Sequence, residues 1–309
     1  MARMTTERFF GGRDQRIDNL RQTLRWVANN RPTESELARY LQTETTADTE
    51  ETISRNIQFL EFFVKDAGNT EIYTLTNKGD AFWRHNEPLV MYEGLASAVD
   101  GFREILRIIA GGHRTLDSIQ RKLRPQFPDY ELPKEVISDH IDWLLSLNLL
   151  TEQDGQYTIP IENGTFEVGE TYSRWFIHDV LKGERYKGIA TPINYPLIFC
   201  FTGDSGETYG YEDEFLADDT FLYTGEGTEG DMTMDDGNKA IRDHAQNNES
   251  IHLFESSDLP WMVTYLGEYE CIKVIETELE DENREMRDAF RFKLAPVGGT
   301  DIEIEGGSP

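Results

Sequence analysis

Apolar residues in the first half of the chain recur at intervals of three and four. From Asp14 onward, Ile17, Leu20, Leu24, Val27 and Ala28 fall on one face of a helix that stops at Asn29-Asn-Arg-Pro32. Thr33, with Glu36 three residues on, forms a capping box: hydroxyl and carboxylate each satisfy an N–H that the first helical turn leaves unpaired. It predicts a helix over Glu34–Leu41. A polar linker follows, then a third helix from about Thr49 to Val64 with Ile53, Ile57, Leu60 and Phe63 on one side. Lys65–Asn69 is expected to turn, Glu71–Thr76 alternates as a strand does, and Asn77–Gly79 is expected to turn again. The order then repeats. A helix over Leu95–Ala110 ends at Gly111-Gly112, and a short one covers Thr115–Leu123. A proline-rich loop over Pro125–Pro133 leads to a helix over Lys134–Leu147. Strand, Asp-Gly turn and strand fill 148–159.

Three helices followed by a hairpin is the order of a winged helix, and Tyr73–Phe82 resembles the wing-and-exit segment of archaeal winged-helix domains. The reading is therefore a loose arm over 1–12 and two winged helices over 13–90 and 91–162. After Gly164 helical spacing gives way to short apolar runs broken by Gly, Asp and Pro, at 196–202, 220–224, 251–254, 261–267, 271–275 and 289–294, with one helix near Asn238–Gln246. This is the pattern of a mainly β domain over 163–298, ahead of a linker-like tail over 299–309.

Charge changes the picture. The 309 residues carry 30 Lys and Arg against 58 Asp and Glu, a net charge of −28 spread along the whole chain. A phosphate-binding protein normally shows a basic face. At molar salt, however, the Debye length is only about 3 Å, and repulsion from DNA is largely screened. The composition is read as halophilic and archaeal. No apolar leader and no apolar run near ~20 residues is present, so a cytoplasmic protein is expected. Cys200 and Cys271, each in an apolar run, read as free thiols. Two Cys and six dispersed His make no zinc spacing, so neither a metal nor another cofactor is expected. The third helix offers Arg55, Asn56 and Gln58, types that reach base edges, and the short helix of the second module offers Arg121, Lys122 and Arg124 as phosphate contacts.

The candidate chemistry lies in Tyr209-Gly-Tyr-Glu-Asp-Glu-Phe215 and Phe221-Leu-Tyr-Thr-Gly-Glu-Gly227. Two tyrosines, Tyr211 and Tyr223, stand twelve positions apart, with carboxylates after the first. Aromatic faces can sandwich a flat ring, and a carboxylate can accept from a ring amine, which is what holding a base swung out of a duplex requires. Val168-Gly-Glu-Thr-Tyr172 with Arg174, Lys187-Gly-Ile189, Gly210-Tyr-Glu-Asp213, Tyr223-Thr-Gly225 and Asn238-Lys-Ala-Ile241 resemble, in order, the motifs of the SRA (SET- and RING-associated, YDG) family of modified-DNA readers. The resemblance, over about 165–296, implies a PUA-like, SRA-like β-barrel that flips 5-methylcytosine or a related base, and with the two winged helices it makes the chain α+β. Its pocket would comprise Gly210, Tyr211, Asp213, Glu214, Tyr223 and Thr224, with Arg174, Lys187, Asn238 and Lys239 on the DNA backbone. Glu214 stands where the family has Asp, so either Glu214 or Asp213 meets the base. Only about a dozen residues separate Tyr223-Thr-Gly225 from Asn238, as in the SRA-like modules of prokaryotic modification-dependent restriction proteins fused to HNH nucleases.

No nuclease signature is legible, because the six histidines are scattered. The expectation is a reader of modified duplex DNA whose nuclease is fused downstream or supplied by a partner, compatible with a homodimer. The alternatives are a winged-helix transcription regulator whose β domain senses a small ligand, and a PUA-like RNA binder.

Overall fold

In the computed structural model the described residues are 10, 15–45, 47, 49–61, 63–66, 71–85, 88–203, 213–259 and 261–298. They divide into two compact units. One holds the residues up to 163 together with 175–180, the other 164–174 and those from 181 on.

The first unit is helical with two hairpins. α1 (Arg16–Asn30), α2 (Glu34–Glu44) and α3 (Glu50–Leu60) precede the antiparallel pair β1 (Val64–Asp66) and β2 (Tyr73–Leu75). The capping box is present: the Thr33 hydroxyl accepts from the Glu36 N–H, and the Glu36 carboxylate accepts from the Thr33 N–H at 2.8 Å. Leu20, Leu24, Val27, Leu37 and Leu41 are fully buried, each worth about 1.5–3 kcal/mol of hydrophobic stabilisation. Phe10 was expected in a loose arm. Its ring is instead buried against Phe59 at 5.8 Å, in a chain of tilted rings that continues through Phe63 to Phe82.

The expected turn at Asn77–Gly79 is the start of α4 (Asn77–His85). The Thr76 hydroxyl caps it by accepting from the Gly79 N–H at 3.0 Å. Position 79 needs glycine, since a Cβ there would lie 2.0 Å from the Phe63 carbonyl oxygen. The expected boundary between 90 and 91 falls inside α5 (Pro88–Ala98). Gly101, at φ 106°, separates α5 from α6 (Phe102–Ala110), where one helix was expected. α7 (Leu116–Leu123), α8 (Lys134–Ser146) and the hairpin of β3 (Thr151–Gln153) and β4 (Gln156–Thr158) complete the unit.

The sequence reading missed a helix, α9 (Arg174–Leu181), whose residues 175–180 pack in the first unit. Asp179 is fully buried there. Its carboxylate accepts from the Tyr92 hydroxyl at 2.8 Å, Arg103 Nε at 3.3 Å and Arg107 Nη2 at 3.5 Å. Two cations and a hydroxyl offset the desolvation that a lone buried carboxylate suffers.

The second unit is built on one eight-stranded sheet. Its strands are β5 (Thr171–Ser173), β6 (Ile189–Ala190), β7 (Leu197–Thr202), β8 (Glu214–Phe215), β9 (Phe221–Thr224), β10 (Ser250–Ser256), β11 (Met262–Glu280) and β12 (Met286–Pro296). The order is β6-β7-β10-β11-β12-β9-β8, with β5 on β11. Every pair is antiparallel except β7 with β10. The two runs expected at 261–267 and 271–275 are one strand, β11, with a bulge between Cys271 and Lys273. α10 (Asp236–Asn247) lays Ile241 into a core of Ile198, Cys200, Phe221, Ile251 and Phe292. No helix among the described residues is long and apolar enough to cross a membrane.

Candidate functional site

β9 carries Tyr223 and Thr224, and strand alternation sends successive side chains to opposite faces. Tyr223 pairs with Phe292 and joins the core, with its ring 3% exposed. A ligand stacking on that ring must displace what covers it. Its hydroxyl donates to the Phe201 carbonyl at 3.3 Å. A Cβ at Gly188 would stand 3.2 Å from the same hydroxyl, so the glycine of Lys187-Gly-Ile189 makes room for the ring.

The two candidate carboxylates part company. Asp213 lies beside Tyr223's end of the sheet. One of its oxygens accepts from the Thr224 N–H and the other from the Thr202 hydroxyl, both at 2.7 Å. Burial raises its carboxyl above the ordinary aspartate value, opposed by the bonds from Thr202 and Thr224 and by Arg291. Glu214 pairs with Leu222 on the other face and is exposed. It accepts from Arg291 Nη2 at 3.2 Å. Arg291 stands directly across from Thr224 on β12. Gly210 and Tyr211 lie outside the described residues.

The expected DNA-backbone residues scatter. The Arg174 guanidinium lies 3.9 Å over the Phe201 ring and donates to the Lys187 carbonyl. Burial lowers its pKa to about 10, partly offset by Tyr223. Asn238 is turned inward. It is 1% exposed, and its amide clasps the loop before α10. Its oxygen accepts from the Glu226 N–H at 2.7 Å, and its nitrogen donates to the Glu226 and Thr233 carbonyls, both at 2.9 Å. Gly225 is held to glycine by that clasp, because a Cβ there would lie 2.6 Å from the Asn238 oxygen. Lys187 and Lys239 are exposed and line one cavity with Glu184 and Asp236.

In the first unit Arg55 is paired with Glu51, and Asn56 is fully buried and so turned away from any base edge. Arg121 and Lys122 on α7, and Arg124 just after it, are exposed together. The sequence reading missed Thr202, Phe201 and Arg291. Arg291 could have been found only by aligning β12 against β9. Among the described residues no group of three or more His, Cys, Asp or Glu is placed to hold a metal ion.

Residues 168–304 match the family model described as ScoMcrA-like, SRA domain. No curated protein matches the chain. Solved structures that are similar include the SUVH5 SRA domain in complex with hemimethylated CG DNA, at 19% identity and TM-score 0.33, over 44% of this chain and 91% of that one. The modification-dependent restriction endonuclease AspBHI is similar at 13% identity and TM-score 0.34, over 43% of this chain and 75% of that one. The sulfur-binding and SRA domains of ScoMcrA, complexed with phosphorothioated DNA, are similar at 14% identity and TM-score 0.37, over 96% of this chain and 88% of that one.

Proposed function

We propose, from the premise that the C-terminal unit carries an SRA-like domain, that this protein binds duplex DNA containing a modified base and takes that base out of the stack at Tyr223. The observation that carries the reading is the half-buried Asp213 carboxylate next to the strand of Tyr223, tied to Thr202 and Thr224 within the segment that matches the family. A carboxyl whose pKa is raised can accept from a cytosine amine and can also carry a proton for a ring nitrogen. Stacking on an aromatic returns about 1–3 kcal/mol per base, and extrusion costs a few kcal/mol. Hydrogen bonds from the pocket and contacts to the backbone must supply the balance.

Around this unit the reading places a restriction or defence system. A nuclease, fused or as a partner subunit, does the cutting. The helix-and-hairpin modules of the first unit act as winged helices that hold DNA, with the exposed Arg121, Lys122 and Arg124 on phosphates. The acidic surface suits a salt-rich cytoplasm, in which recognition relies on short-range contacts.

The test is a titration of one duplex carrying cytosine, 5-methylcytosine, 5-hydroxymethylcytosine, N6-methyladenine or a phosphorothioate linkage. A modified cytosine should bind at least ~10-fold tighter than cytosine, the scale of a single stacked and hydrogen-bonded base, and Tyr223→Ala should abolish the difference. Affinity that follows sequence, ignores modification and is indifferent to Tyr223 would favour the regulator instead.

A further inference from the structure

The face of β12 turned away from Phe292 and the main core gathers positive charge in a strongly acidic chain. Arg291 and Lys293 alternate along that face, opposite Thr224 and Leu222 of β9. On the other side β11 sets Lys273 directly across from Lys293 and Ile275 across from Arg291. Like charges placed opposite each other on one sheet face are destabilising, and no carboxylate lies within ion-pair distance of Lys273 among the described residues. Two acids of the edge segment lean over the other cations. Glu214 meets Arg291 at 3.2 Å, and Asp218 meets Lys293 at 2.7 Å. The cations are the fixed partners, with side chains 13% and 24% exposed. The acids are the loose ones, at 55% and 58%.

We infer that Arg291, Lys293 and Lys273 form a seat for the phosphates of the DNA strand that carries the modified base, and that Glu214 and Asp218 occupy this seat until DNA displaces them. The seat rests on the reading of the domain as a DNA binder, and it deepens that reading in two ways. Its first residue, Arg291, stands across from Thr224, whose N–H Asp213 binds, on the opposite face of the sheet from the Tyr223 ring, so the row starts beside the strand that carries the base site. Successive cations on β12 are two strand residues, about 6.6 Å, apart, a spacing along which a sugar–phosphate backbone can run. A carboxylate resembles a phosphate oxygen to an arginine or lysine, so each intramolecular pair is what the ligand must break. Tight binding then needs DNA to bring more than one phosphate to the row. An acidic protein thereby keeps a cationic seat closed to isolated anions.

The test is binding of modified and unmodified duplexes by the full chain over 0.1–0.5 M KCl. Glu214→Gln, read on the unmodified duplex, and Asp218→Asn should each tighten binding about 3- to 10-fold at the lowest salt, because an intramolecular competitor is removed. Lys293→Gln and the exposed Lys273→Gln should weaken it and lower the slope of log K against log salt by about 1 each. Carboxylate variants that bind no tighter, or lysine variants that leave affinity and slope unchanged, would make these pairs mere struts and overturn the inference. The ratio of modified to unmodified affinity reports on the base pocket separately. A wild type without preference whose Asp218→Asn variant still tightens loses the pocket and keeps the seat. A wild type with preference but unresponsive charge variants loses the seat alone. Failure of every form to bind duplex removes both.

Discussion

Asp213 and Glu214 are adjacent in sequence and opposite in environment, and the reason is the pleat. Pairing Glu214 with Leu222 puts it on the face that carries Arg291, where its own side chain is exposed, and its predecessor turns to the Thr224 N–H and the Thr202 hydroxyl. The sequence left the choice between them open because register, not composition, decides which of two neighbouring acids faces inward. A second residue illustrates a buried group whose protonation matters. His252 stacks on Tyr265, and its Nδ1 shares a hydrogen bond with the Tyr265 hydroxyl at 2.9 Å. Burial lowers its pKa to about 4. The fold therefore holds the neutral ring, while the unfolded chain takes up a proton near the ordinary histidine value. The resulting stability is complete above about pH 6.5 and is lost as pH falls toward 4, by about 3 kcal/mol. Urea melts at pH 7 and pH 4.5 should show His252→Phe losing less stability over this interval than the wild type. Equal losses would place the acid sensitivity elsewhere.

Among elements, the short segment between Tyr223-Thr-Gly225 and α10 has a defined structure of its own. The 227–232 stretch is strapped to the β11–β12 hairpin. Arg287 Nη1 donates to the Gly227 carbonyl at 2.5 Å and to that of Gly230 at 3.4 Å. The Met232 N–H donates to the Asp288 carbonyl at 2.8 Å, and the Glu282 N–H to that of Thr228 at 3.2 Å. Asp281 closes the hairpin tip by accepting from Asn283 and Glu285 N–H groups. Arg287 is 3% exposed, and removing it leaves the carbonyls it binds without their donor, at about 1–3 kcal/mol. Arg287→Ala should abolish amide exchange protection across 228–232 while α10 stays protected. Retained protection would show that the backbone bonds suffice. At this scale much was legible. The Thr33 capping box, the helix–hairpin order twice over and most strand positions follow from local periodicity. Other features were not. α9 is short, and its packing residues belong with partners some 70–90 positions earlier, such as Tyr92 and Arg107. The parallel pairing of β10 with β7, and the placing of Arg291 against Thr224, are long-range registers that no local pattern encodes. Arg174 and Asn238 were assigned to DNA because their motifs give residue types and spacing but no direction. In the fold the first stacks on Phe201 and the second clasps a loop.

For the whole molecule, a net charge of −28 means that nonspecific attraction to DNA contributes little. On the proposed reading, recognition rests on a base held by stacking and hydrogen bonds, assisted locally by a few cations. Extrusion of the base is thus the central claim, and its most direct test is fluorescence. A duplex with 2-aminopurine beside a modified cytosine brightens when its neighbour leaves the stack. With the wild-type chain at saturating concentration in 1 M KCl, the account predicts a rise for the modified duplex, little for the unmodified one, and none for the modified duplex with Tyr223→Ala. Saturable, modification-selective binding without any rise would mean that the base is read in place, and would contradict the pocket at Tyr223.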